Sequence, residues 1–329
     1  MSTVLEPAHA PEETSGAEVH GWPRPITRDL AYQRTGIVNV YYSGKPTRGD
    51  RSWVLIDAGV KPFSATIGEV AARRYGHGNR PSAIVLTHGH FDHVGALESL
   101  AKAWDVPVYA HPLEIPYLTG RASYPPADPT VGGGAMAALS WLYPRGPIDL
   151  KGGVRPLPAD GTVPGMPGWR WIHTPGHSPG HVSFFRDADR TLIAGDAFIT
   201  TRQESALSVL TQYPEMHGPP MYYTIDWKAA KKSVESLAAL EPEVAATGHG
   251  IPIAGPSLRA SLHELARDFD RRAVPVHGRY TREPAIADAR GPLYIPPPDW
   301  SPGPALAKGF AIGVAAGLVA AVVFGRRKA

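Results

Sequence analysis

A mixed α/β fold is what the sequence predicts, with its chemistry gathered at the ends of strands. Three observations lead there. Short apolar runs at 37–42, 53–56, 82–86, 182–185, 191–194 and 244–247 read as strands. Stretches at 62–75, 95–104, 227–240 and 256–273 carry apolar residues at helical spacing and read as helices. Several strands end directly in a histidine or an aspartate, and open α/β architectures bind their ligands at the carboxyl ends of strands.

Composition narrows the class. The chain has 329 residues, 43% hydrophobic and 19% charged, enough for a real core in one large domain or two small ones. Cysteine is absent, so any metal must sit on histidine and carboxylate alone, which fits a reducing compartment. A net charge of +3, with no Lys/Arg run interleaved with aromatics, argues against nucleic acid as a partner. Gly and Pro, 35 each, point to many turns and at least one unstructured tether.

Along the chain, residues 1–26 read as a disordered N-terminus. They are rich in Pro, Glu and Ala, without apolar periodicity and without the basic and apolar regions of a signal peptide. Residues 27–273 read as the catalytic domain. Its first two strands (37–42, 53–56) flank the polar turn 43–51, and the second ends in Asp57-Ala58-Gly59. Helix 62–75 leads to strand 82–86, and helix 95–104 to a short strand, 107–110, ending at His111. Residues 112–168 are irregular, with Pro125-Pro126, Gly132-Gly133-Gly134, Tyr117, Tyr124, Trp141 and Tyr143. So long a structureless segment reads as a functional lid, because aromatics are poor disorder formers. Strand 169–173 restores regularity, and Asp226 is placed to cap helix 227–240.

The densest chemistry is Thr87-His88-Gly89-His90-Phe91-Asp92-His93. Imidazole and carboxylate at this density suit a borderline-soft divalent ion such as zinc. A strand ending at Leu86 would turn alternate side chains one way, so His88 and His90 could face one ion and Asp92 and His93 a second. Further strand ends add His177, Asp196 and His249. Two ions need about seven side-chain contacts when one carboxylate bridges, and these residues supply that number.

The order of these motifs resembles the metallo-β-lactamase superfamily in its glyoxalase II-like hydrolase branch. The motifs are Asp57 in a strand-end turn, His-x-His-x-Asp-His at 88–93, Thr-Pro-Gly-His at 174–177, Gly-Asp at 195–196 and Gly-His-Gly at 248–250. The match spans roughly residues 35–255. It implies an α+β fold, the αββα sandwich of two face-to-face sheets with helices outside. It implies one metal on His88, His90 and His177 and another on Asp92, His93 and His249, with Asp196 bridging. The expected cofactor is two Zn2+ per chain, with iron or manganese as substitutes. Asp57 would stand behind the ligands and orient them. His181, His111 and His173 are expected to pack rather than ligate.

The expected activity is that of a binuclear zinc-dependent hydrolase using a metal-bound hydroxide on a carbonyl substrate: thioester, ester, lactone or β-lactam. Asp92 and Asp196 are the expected catalytic carboxylates. The residues after Gly250 lack the basic pattern by which glyoxalase II holds glutathione. Phe198 and Ile199 stand where acyl-homoserine lactonases lead to a tyrosine, so both activities are disfavoured. Aromatic loops favour a partly apolar small-molecule substrate, touched by Tyr213, His217 and Tyr222. The alternative from another class is a mononuclear iron persulfide dioxygenase-like oxidoreductase, with iron on residues matching His88, His177 and Asp196. His249 discriminates, because it has a role only with a second metal.

Residues 274–304 are Pro-rich and read as a semi-extended tether. The uncharged run from Gly309 to Gly325, about 25 Å long as a helix, predicts a C-terminal transmembrane helix over 305–325, followed by a basic tail at 326–329. A single-pass membrane protein with a cytoplasmic catalytic domain is the corresponding expectation. Gly309, Gly313 and Gly317 recur every fourth residue and predict a homo-oligomer through close helix packing.

Overall fold

The computed structural model describes residues 23–46 and 48–299. Two sheets pack face to face. The first runs in sequence order: β1 (Arg24–Pro25), β2 (Leu30–Thr35), β3 (Val38–Ser43), β4 (Val54–Ile56), β5 (Ala83–Val85), β6 (Val108–Ala110) and β7 (Val154–Pro156). Pairing is antiparallel from β1 to β4 and parallel from β4 to β7. The second sheet comprises β8 (Trp169–His173), β9 (Val182–Arg186), β10 (Thr191–Gly195), β11 (Val244–Thr247) and β12 (Ile253–Ala254), joined in that order. Its β10–β11 pair is parallel and the other pairs are antiparallel.

Strand alternation builds the layers. On β4, Val54 and Ile56 enter the core between the sheets, where they meet Phe184, Ile193 and Ala246 of the second sheet. Leu55 points the other way, into a core shared with Ile67 and Val70 of helix Ser64–Tyr75 and Leu97 and Leu100 of helix Leu97–Trp104. The second sheet does the same: Leu192 and Ala194 face Val234 and Leu237 of helix Trp227–Ala238 and Leu262 of helix Pro256–Arg267. Helices on both outer faces complete an αββα sandwich. Each fully buried Leu, Ile or Val contributes roughly 1.5–3 kcal/mol over exposure, and three apolar layers of this kind hold the strand ends in place.

The elements sit close to their predicted spans. Asp226 caps its helix, accepting from Ala229 N at 2.9 Å. The stretch predicted as one helix over 256–273 divides into Pro256–Arg267 and Phe269–Arg272. β2 was not anticipated: Gln33 and Arg34 interrupt its apolar run, yet Gln33 is buried, bonded through Oε1 to the Tyr42 hydroxyl at 2.5 Å. Residues 112–168 contain short helices at Ile115–Leu118 and Ala135–Ala138. Beyond residue 274, where proline predicted a tether, β13 (Ile286–Asp288) and β14 (Gly291–Tyr294) form a hairpin. The chain leading to it is bonded to the sandwich through Tyr280 Oη to Pro126 O at 2.6 Å and Ala285 N to Ile225 O at 3.0 Å.

The expected transmembrane helix is corrected here. Among the described residues no helix is long and apolar enough to cross a membrane, and 305–325 lies outside those residues. The expectation rested on the hydropathy of a 17-residue glycine- and alanine-rich run, short of the roughly 20 residues a span requires. Single-pass membrane localisation, membrane partnership and the cytoplasmic placement derived from it fall with that helix. Gly309, Gly313 and Gly317 also lie outside the described residues.

Candidate metal centre

The predicted ligands come from both sheets. β5 ends at Val85 and delivers His88, His90, Asp92 and His93 through a sharp turn. The β8–β9 connection brings His177, the end of β10 brings Asp196, and the turn after β11 brings His249. The seven converge at one edge of the sandwich and are almost sealed, Asp92 being the most exposed at 5%.

Hydrogen bonds behind each ring settle which nitrogen faces inward. Thr87 Oγ1 donates to Asp57 Oδ2 at 2.8 Å, so it accepts from His88 Nδ1 at 3.1 Å and leaves His88 Nε2 with a bare lone pair. His93 Nδ1 donates to Asp57 Oδ2 at 2.8 Å. His249 Nδ1 donates to Ile37 O at 2.6 Å. Thr224 Oγ1 donates to Pro220 O at 2.8 Å and is thereby an acceptor for His177 Nδ1 at 3.4 Å. Four imidazoles are thus each tied at Nδ1 and aim Nε2 into a shared space, while His90 offers Nδ1, 2.9 Å from His177 Nε2.

Asp196 sits between them. Its Oδ2 lies 3.1 Å from His249 Nε2, 3.3 Å from His177 Nε2 and 3.5 Å from His93 Nε2. Its Oδ1 has no hydrogen-bond partner, nor do His88 Nε2 and His93 Nε2, although all three are buried. Unsatisfied buried polar atoms are costly, and three at one point are what a cation would satisfy. Among the described residues, donor atoms within 4.8 Å of one another form three groups: His88, His90 and His177; His88, His93 and Asp196; Asp92, His93 and His249. The donor set fits a metal.

Electrostatics agrees. Burial, and then neighbouring imidazoles, push His88 and His90 well below the ordinary histidine range. Burial brings His177 down to about 3. These rings are neutral, the form that binds a metal. His93 and His249 are driven down by burial, but Asp196, with Asp57 or Asp92, overcomes this and raises them. Asp196 is pushed up by burial, yet His249 and His93 hold it well below the usual carboxylate range.

Asp57 lies behind His93 and Thr87. Its carboxylate also accepts from Thr87 N at 2.8 Å, and the residue adopts a left-handed backbone, φ 59°, a conformation Asp tolerates better than most residues. His181 is engaged at both nitrogens: Nε2 accepts from Asp196 N at 2.9 Å and Nδ1 donates to Thr174 O at 3.1 Å. His111 and His173 stack on each other at 4.3 Å and belong to none of the three groups. Of the predicted substrate residues, Tyr222 is buried beside Tyr223, at 5.2 Å between rings. His217 stands with Nε2 3.8 Å from Glu204 Oε2, and Tyr213 is 70% exposed on the surface.

Gly248 shows how tight the packing is. A Cβ there would collide with Asp196 Oδ1 and lie 2.9 Å from His93 Cε1. Gly248→Ala is expected to weaken metal binding by at least about tenfold, as read by competition with a chromogenic chelator. Unchanged affinity would show that Asp196 does not need its present position.

Sequence reasoning missed three residues. Tyr223 stacks on His90 at 4.4 Å, and Tyr124 meets the same ring edge-on at 4.5 Å. The third is Glu114, fully buried. Its Oε1 accepts from Ser178 Oγ at 2.9 Å and Gly180 N at 2.7 Å. Its Oε2 accepts from Gly89 N at 2.9 Å and from the Tyr124 hydroxyl. One carboxylate thereby ties the turn carrying His88 and His90 to the turn carrying His177. Nothing local marked it, since a lone Glu in an irregular segment reads as solvated.

The comparisons agree with this architecture. The metallo-beta-lactamase superfamily profile matches residues 34–249, and the chain belongs to that superfamily. A protein of Bacillus subtilis named probable metallo-hydrolase YflN is 51% identical over 230 residues, covering 70% of this chain and 87% of that protein. A second from the same organism, probable metallo-hydrolase YybB, is 30% identical over 196 residues, 60% of this chain and 74% of that one. A beta-lactamase domain protein from Burkholderia ambifaria superposes with a TM-score of 0.56 at 17% identity, covering 78% of this chain and 79% of the other. That last likeness is one of fold.

Proposed function

We propose that the protein is a binuclear, zinc-dependent hydrolase of carbonyl substrates of the thioester, ester, lactone or β-lactam class. One observation carries this reading: four buried imidazoles, each held at Nδ1 from behind, aim Nε2 into a space around Asp196 Oδ2, which lies within 3.5 Å of His93, His177 and His249. The names of the two Bacillus relatives support hydrolysis with a metal. His88, His90 and His177 would hold one ion; Asp92, His93 and His249 the other; Asp196 would face both. Two such ions, when bound, lower the pKa of water and polarise a carbonyl oxygen.

The chain's own residues prepare that chemistry. Asp57 fixes the tautomer of His93 and, through Thr87, that of His88. Asp92 places Oδ2 3.5 Å from His249 Nε2, and burial raises its pKa while His93 and His249 oppose the rise. Tyr223 and Tyr124 cover His90 on two sides and exclude bulk water. His249 favours two ions over one, because a single ion on His88, His177 and Asp196 leaves it without a task.

The test is metal content of the full-length protein by mass spectrometry, followed by turnover of an acetyl thioester, a lactone and a β-lactam. About two zinc ions per chain are expected, with hydrolysis lost on chelation and restored by zinc. A single iron per chain would overturn the binuclear reading. Metal removal should also lower the melting temperature, since a ligand that binds only the folded state stabilises it.

A further inference from the structure

A cleft of about 730 Å³ is lined by Ile37, Phe91, Met136, Leu139, Leu142 and Ile148 among others. That volume lies within the roughly 300–1,000 Å³ of small-molecule sites. Two parts of its wall are tied to candidate ligands, one through the chain and one through a hydrogen bond. Gly89 and Phe91, which flank His90 in the chain, line it directly, and Ile37, another wall residue, fixes His249 through its carbonyl. Ile37, Val60 and Met136 also belong to the apolar cluster containing Tyr223, the ring stacked on His90. The cleft therefore continues the cover of the metal centre outward. The one carboxylate on its wall is Glu98; its cations, Lys61 and Arg145, are exposed.

We propose that this cleft takes the apolar acyl chain of the substrate, so that the substrate is an acyl ester or thioester with an extended hydrocarbon tail. This rests on the hydrolase reading for the fate of the carbonyl, but the binding site stands on the cleft's own chemistry. A compact polar substrate would leave an aliphatic wall wet, with no hydrogen-bond partner to offer it. A hydrocarbon tail removes apolar area from water along its whole length, about 0.8 kcal/mol for each buried methylene. A carbonyl at the metal centre and a tail between Phe91 and Leu142 uses both features at once.

Straight-chain carboxylates from butyrate to decanoate are the probes, titrated calorimetrically into the metal-loaded, full-length protein as analogues of the hydrolysis product. One site per chain is expected, with affinity rising about fourfold per methylene until the cleft is full. Two variants at exposed wall positions, Leu142→Glu and Ser99→Trp, test the location, with a thermal melt confirming folding. Glu at 142 should weaken decanoate at least about tenfold, and Trp at 99 should end the rise at a shorter chain. Equal affinity along the series, many equivalents bound per chain, or a series unchanged in both variants would overturn the proposal. Chain-length-dependent binding with no cleavage of any ester or thioester would sink the hydrolase reading and leave the acyl site standing. Efficient cleavage with flat binding would do the reverse.

Discussion

Asp196→Ala is expected to abolish the second bound metal and to lower turnover by more than about a hundredfold, the upper loss associated with partners one bond further from an ion. The side chain is buried, its Oδ2 within 3.5 Å of three imidazoles and its Oδ1 without any partner. Removing it takes away the one carboxylate placed between both ligand groups. It also removes the negative charge that, with Asp57 and Asp92, raises His93 and Asp92's neighbour His249. Two effects then act together: fewer ligand atoms, and a cluster of imidazoles with less anionic charge to hold a dication. Alanine leaves a gap but blocks no strand pairing, because Asp196 follows β10. Folding should survive, so metal per chain and the melt separate loss of the site from loss of the protein. A variant retaining two ions and full turnover would end the assignment of Asp196 as the carboxylate shared by both ions.

The metal motif was legible because it is local. Four candidate ligands lie within six consecutive positions after an apolar strand, and His177, Asp196 and His249 each have a glycine alongside. Those glycines have physical causes: Gly248 has no room for a Cβ beside Asp196, and one on Gly176, φ 133°, would collide with Ala230 of the neighbouring helix. The layer order was legible only through the resemblance, since the continuous apolar runs of β4 and β10 tell that a strand is buried on both faces but not by what. What could not be read was action at a distance. Gln33 looks like a strand breaker until Tyr42 pairs with it across the sheet, and proline in 274–298 says nothing of Tyr280 reaching back to Pro126. Hydropathy of a short tail was the weakest signal, because an apolar run has no geometry to check it against.

Glu114 is the sharpest case of such distance, and it gives the other large prediction. Its partners lie 25, 64 and 66 residues away at Gly89, Ser178 and Gly180, with Tyr124 ten residues on. Burial raises its pKa, while bonds from Tyr124, Ser178, Gly180 and Gly89 oppose the rise. Three of the bonds this deep carboxylate accepts, from Gly89, Ser178 and Gly180, come from the turns that carry His88, His90 and His177. Glu114→Ala would orphan Gly180 N and loosen two hydroxyls. Gly89 N would keep Tyr124 Oη at 3.0 Å. The expected cost is about 2–4 kcal/mol of stability, a fall of roughly 5–12 °C in melting temperature for a domain of this size. The cost to the site differs in kind. The turns bearing His88, His90 and His177 lose their common anchor, so affinity for the ion on that triad should fall about 10- to 100-fold. The ion on Asp92, His93 and His249, whose orientation depends on Asp57 and Ile37, should be nearly unaffected. Glu114→Gln keeps one acceptor for Gly180 and Ser178 and should fall between. Cobalt substitution reads the two sites separately by their absorption. Equal weakening of both would make Glu114 a general stabiliser of the fold; selective loss of the first would make it a positioning residue, setting one metal site from the seam between the two sheets.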